Sequence, residues 1–93
     1  MEGSVLLDIA DEFPSIVKCR KLAAKLGVAK TFIDEQIVSG QGTADVTYSV
    51  MAEWQRLKGG GATSLALYKA LGTIGCEGLA QRFESVLFRE GEG

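Results

Sequence analysis

Apolar residues in this chain return every three or four positions almost from end to end, and no stretch alternates with the period of two that a half-buried strand requires. That periodicity restricts the fold to helices, each with one apolar stripe that another element has to cover. Leu6, Ile9, Ala10 and Phe13 form the first stripe, behind Ser4 as N-cap and ahead of Pro14, whose ring disfavours a helical residue before it. The spacing predicts a first helix over about residues 4 to 12.

Ser15 is placed to cap a second helix over about residues 15 to 26, in which Cys19, Leu22, Ala23 and Leu26 repeat the stripe and Gly27 supplies a left-handed terminus. A short third segment, AKTFIDEQIV, sets Ile33 and Ile37 four apart with Phe32 beside them, and it breaks in SGQG. Thr43 or Asp45 opens a long fourth helix with Val46, Val50, Trp54 and Leu57 along one face and Met51 widening it, so Trp54 reads as core. Past LKGGG, Thr63 or Ser64 caps a fifth helix that buries Leu67, Ala70, Leu71 and Ile74. Gly72 and Gly75, if interior to it, each weaken its last turn by roughly 0.5 to 1 kcal/mol relative to alanine. Leu79, Ala80, Phe83, Val86 and Leu87 make a sixth stripe before the tail REGEG, which is expected to fray. The fold class that follows is all-α: one domain over residues 1–93, with its core at about 4–89, built as a six-helix antiparallel bundle.

A chain of 93 residues can bury one core, but it has little room for a deep catalytic cleft as well. Histidine, the commonest general base and metal ligand, is absent. Asp34 and Glu35 are adjacent and therefore point to different sides of a helix, which does not suit paired acid–base work. No catalytic residue, cofactor, metal or small-molecule substrate is expected. Cys19 and Cys76 stand far apart and fit neither a zinc spacing nor a disulfide framework, which points to a reduced, cytoplasmic setting. Cys76 reads as a small loop residue sooner than as a reactive thiol, and the hydroxyls of Tyr48 and Tyr68 as partly buried groups with local partners sooner than as modification sites. The N-terminal MEGSVLLDIADEF is acidic where a signal peptide is basic, and no apolar run reaches the roughly 18 residues of a membrane span, so no membrane insertion is expected.

The three glycines of LKGGGATSLALY raise the question of a phosphate-binding loop. Such a loop follows a strand and carries a lysine after its glycines, whereas here Lys58 precedes them and no strand is available. The glycines read as a joint between two helices.

Taken in order, CRKLAAKLGVAKTFIDEQI, VMAEW and GATSLALYKALGTIGCEGLAQRF resemble a death domain of the death-fold superfamily over roughly residues 5 to 88. The correspondences are Leu22 with Ala23, Leu26 with Gly27, Ile33 with Ile37, and Met51 three residues before Trp54. They continue with Ala62 and Thr63, and then Gly78, Leu79 and Ala80. The set departs from the family pattern at Cys19, where a tryptophan is usual, so Phe13 or Phe32 is expected to fill the missing volume. The resemblance implies a non-enzymatic module that joins other death-domain proteins, homotypically or heterotypically, into helical oligomers in apoptotic or innate-immune signalling.

Charge marks the surfaces that such contacts would use. Residues 1–12 carry Glu2, Asp8, Asp11 and Glu12 without a basic residue, and residues 15–31 carry Lys18, Arg20, Lys21, Lys25 and Lys30 without an acidic one. The resemblance implies a contact between helices one and four of one module and helices two and three of the next, which assigns an acidic patch to Asp8, Asp11, Glu12 and Glu53. It assigns the basic patch to Lys18, Arg20, Lys21 and Lys25. A second implied contact sets Arg56, Lys58 and Gly59, Gly60 and Gly61 of the joint against Cys76, Glu77 and Gln81. The alternatives are a solvated face with no partner, a folded domain that only links parts of a larger enzyme or receptor, a caspase-recruitment-type module, and a small nucleic-acid binder using basic helix two. A net charge of -2 opposes the nucleic-acid reading, and no nucleic-acid partner is expected.

Overall fold

The computed structural model describes the backbone of residues 3–92 and the side chains of residues 4–85. Six α-helices follow one another: α1 Gly3–Asp11, α2 Ile16–Leu26, α3 Lys30–Val38, α4 Thr43–Lys58, α5 Ser64–Thr73 and α6 Glu77–Glu92. A 3-10 turn over Gly59–Gly61 links α4 to α5, and no strand occurs among the described residues. Glu2 and the side chains of Val86 and Leu87 lie outside the described residues.

Helix α4 is the centre of the bundle, in contact with α1, α2 and α3, while α5 packs on α6 and against α2, and α1 meets α6. The first, second and fifth stripes are buried as the periodicity predicts, with Ile9, Cys19, Leu22, Leu67 and Leu71 entirely inaccessible. Each such aliphatic side chain contributes roughly 1.5 to 3 kcal/mol on burial, so the stripes outweigh any single surface interaction in fixing the helix order. Two caps do what their residue types suggest. Ser15 Oγ accepts from the Lys18 amide at 3.3 Å, and Thr63 Oγ1 accepts from the Ala66 amide at 3.1 Å. Gly27, at φ 83°, ends α2 in the left-handed conformation.

The structure departs from the sequence reading at four places. Helix α1 begins at Gly3, so Ser4 lies within its first turn and is not the N-cap. Leu57 is 49% exposed although it keeps the angular position of the α4 stripe. Thr47, near the start of α4, is fully buried although polar; its hydroxyl donates to the Thr43 carbonyl at 2.7 Å and so enters the core satisfied. Gly75 lies past the end of α5, leaving Gly72 alone inside that helix, and α6 continues to Glu92 through the segment expected to fray. Cys19 is wholly buried, with Phe13 in the same core and Phe32 packed against it.

Candidate functional site

The exposed side of α1 is set by its buried side. Val5, Leu6, Ile9 and Ala10 face the core, which turns Leu7, Asp8 and Asp11 outward together, Leu7 with 49% of its surface exposed. No salt bridge or side-chain hydrogen bond engages Asp8 or Asp11 among the described residues. The other two acidic candidates are occupied. Glu12, just past α1, pairs with Arg82 of α6, and Glu53 receives Arg56 Nε at 2.7 Å and Arg56 Nη2 at 2.8 Å. Those hydrogen bonds hold the Glu53 carboxyl below its ordinary range and raise the Arg56 guanidinium.

The basic candidates of α2 do not form one patch. Lys18, Lys21 and Lys25 recur at i, i+3 and i+7 and flank the buried face on the side of α5, whereas Arg20 flanks it on the side of α3. Arg20 Nη1 donates to Asp34 Oδ1 at 2.9 Å, and Lys18 Nζ donates to the Ile74 carbonyl at 2.9 Å. Lys21 and Lys25 are exposed and carry no such partner among the described residues. Val17 stands four residues before Lys21 on the same side and is 62% exposed.

The joint is a defined turn. Gly59 takes φ 53° and ψ -120°, and the 3-10 turn closes with the Ala62 amide donating to the Gly59 carbonyl at 3.1 Å. Exposed Leu57 and Leu65 flank the turn on either side in the chain. Arg56 is turned back to Glu53, and Lys58 leans toward α2, its Nζ 3.8 Å from where a Cβ on Gly27 would lie. Gly60 is exposed with nothing beside it. On the opposing surface, Glu77 and Gln81 stand one turn apart on α6 and line a shallow groove with Tyr68 and Gly72 of α5.

The apolar members Leu7, Val17 and Leu65 were not singled out by sequence reasoning, yet their off-stripe positions carried the signal. Reactive groups are not assembled anywhere in the described structure. Cys76 is buried just before α6, and burial pushes its thiol up despite the opposing charges of Lys18 and Lys21. Tyr48 and Tyr68 are half-buried as expected, but the Tyr48 hydroxyl lacks the expected local partner among the described residues. Asp34 is engaged by Arg20, apart from Glu35. No group of metal-ligating side chains occurs among the described residues. None of the helices is long and apolar enough to cross a membrane.

What the surface offers is therefore contact, through small apolar projections each accompanied by charge. Comparison with protein-family models gives a match to the death domain over residues 5–87. Curated proteins and solved structures give no significant match. The match covers most of the chain and agrees with a six-helix bundle lacking strands among its described residues. The chain belongs to the death-domain family, a family of non-enzymatic modules that mediate protein–protein interaction in signalling.

Proposed function

We propose that this domain builds asymmetric complexes with other death domains by setting the outward face of α1 on one copy against the outward face of α2 on the next. The observation that carries this reading is the match between the two faces. Leu7 stands with unpaired Asp8 and Asp11 on one, and Val17 stands with unpaired Lys21 and Lys25 on the other. The apolar members supply affinity, and the charges set encounter rate and partner choice, since exposed ion pairs contribute only about 0 to 1 kcal/mol each. A contact between unlike faces leaves one of each unsatisfied at the ends of a pair, so it propagates into a ring or a helical assembly.

The family's second contact supports a role for the joint. Leu57 and Leu65 beside Gly59–Gly61 offer apolar projections with a compact backbone, and the Glu77 and Gln81 face is the surface that would receive them. In this reading the assembly serves apoptotic or innate-immune signalling in the cytoplasm. The test is a pull-down from cytosol with the wild-type domain beside Lys21→Glu, followed by charge exchange with Asp11→Lys on the partner copy. Loss with the first variant and partial recovery with the pair support the interface. Additive losses, with both variants still helical by circular dichroism, would sink it.

A further inference from the structure

All three arginines with described side chains are committed to carboxylates: Arg20 to Asp34, Arg56 to Glu53 and Arg82 to Glu12. Three lysines are treated in the opposite way. Lys25 of α2, Lys58 of α4 and Lys69 of α5 line one groove of 410 Å³, and no carboxylate lines it with them. None of the three has an ion-pair partner among the described residues. The groove has an apolar wall at Trp54 and backbone without side chains at Gly27 and Gly61. Lys58 reaches across it, with Cε and Nζ both 3.8 Å from the position of a Cβ on Gly27.

Part of this charge has an internal explanation. Lys25 and Lys58 lie in the last turns of α2 and α4, where each helix end presents about half a negative charge. Lys69 has no such role, because it lies in the middle of α5. Three ammonium groups against two helix ends leave about two positive charges uncompensated in one concave site. A phosphomonoester carries about -1.5 to -2 at neutral pH and three strong acceptor oxygens, so it matches both the charge and the number of donors.

We propose that the α2–α4–α5 groove is a phosphate-binding site that seats one phosphomonoester of a small phosphorylated polyol, with Lys25, Lys58 and Lys69 as its donors. Recognition is by side-chain ammonium groups, not by the backbone of the Gly59–Gly61 turn. The ligand chemistry is shared by soluble inositol phosphates and by phosphoinositide headgroups at a membrane surface. The site goes beyond the interaction reading: it shares Lys25 with the α2 face and Lys58 with the joint, but Lys69 belongs to neither proposed contact, so Lys69 separates the two.

The test is a titration of the 93-residue chain with inositol 1,4,5-trisphosphate, followed by amide and indole shifts in two-dimensional NMR. A parallel arm measures sedimentation with phosphatidylcholine vesicles, with and without phosphatidylinositol 4,5-bisphosphate. Saturable shifts centred on Gly27, Gly61 and the Trp54 indole are expected. Lys69→Gln should weaken binding about tenfold, while Lys30→Gln, at the start of α3 and outside the groove, should leave it unchanged. Shifts with the soluble ligand assign a free inositol phosphate, and binding confined to phosphoinositide vesicles assigns a headgroup; each supports the site provided Lys69→Gln weakens it. Absence of binding in both arms, equal shifts with citrate at matched ionic strength, or wild-type affinity in Lys69→Gln would each overturn it.

Discussion

Lys18 Nζ donates to the carbonyl oxygen of Ile74 at 2.9 Å, tying the first turn of α2 to the end of α5 across 56 positions of sequence. A lysine read from sequence as a docking charge is therefore an internal strut. The acceptor is one of the carbonyls that a helix end leaves without a partner, and an ammonium donor suits it both as a hydrogen bond and against the helix dipole. Lys18→Met keeps most of the aliphatic length and removes the donor, so it should cost roughly 1 to 2 kcal/mol by urea denaturation. Lys21→Met, exposed and unpartnered, should change stability by less than about 0.5 kcal/mol. Equal stabilities for the two variants would remove the strut.

The three consecutive glycines are not equivalent. Gly59 holds φ 53° with ψ -120°, a combination unfavourable for any residue with a Cβ, whereas Gly60 has no positive φ and open space around it. Gly59→Ala should destabilise the domain by about 1 to 3 kcal/mol. Gly60→Ala should stabilise it by up to about 1 kcal/mol, because it removes freedom mainly from the unfolded chain. Thermal unfolding of the two variants reads the difference directly, and an equal loss in both would contradict the distinction between the two glycines.

Most of the fold was legible because the features that fix it are local. The hydroxyls of Ser15 and Thr63 cap helices by accepting from the amides of Lys18 and Ala66, three residues on, and Gly27 ends α2 at the position its type suggests. What could not be read depended on how the helices pack on one another. Leu57 continues the α4 stripe by spacing alone, but spacing carries no information about whether anything covers the last turn. The division of the α2 cations was half legible: the angular separation of Arg20 from Lys18 and Lys25 follows from the helical repeat. Their acceptors, Asp34 and the Ile74 carbonyl, follow only from the packing of α3 and α5. Thr47 was passed over because it is polar, yet its register between Val46 and Val50, and a carbonyl four residues back, were enough to place it inside.

Trp54 and Leu57 test how far the α4 stripe matters. Trp54 is 3% exposed and three residues later Leu57 is 49% exposed, so one helical turn separates core from surface. Trp54→Ala should cost about 3 to 5 kcal/mol and risks unfolding the domain, so Trp54→Phe with a smaller loss is the informative companion. Leu57→Ser should stay within about 0.5 kcal/mol of wild type by chemical denaturation. If the joint is a contact surface, the same Leu57→Ser variant should weaken partner capture while remaining as stable as the parent.

The buried thiols give the domain an alkaline limit. Burial raises the Cys19 thiol above its ordinary range, against smaller lowering effects from its hydrogen bond with Thr47 and from the Arg20 charge, and burial raises Cys76 likewise. A thiol whose folded pKa is raised favours the native state fully at pH values below its unfolded value of about 8.5. Above that value the unfolded chain releases the proton while the native one retains it, so stability falls by up to about 1.4 kcal/mol per pH unit for each thiol until pH passes the folded pKa. Urea midpoints measured between about pH 7.5 and 10 should therefore decline more steeply for the wild type than for Cys19→Ala, the difference cancelling the lysine and tyrosine titrations common to both. The same burial predicts that an aromatic disulfide reagent reacts slowly with the native chain and rapidly with both cysteines once urea unfolds it. Parallel pH profiles for the two proteins, or a prompt native reaction at Cys19, would show that this thiol is not held neutral by the core.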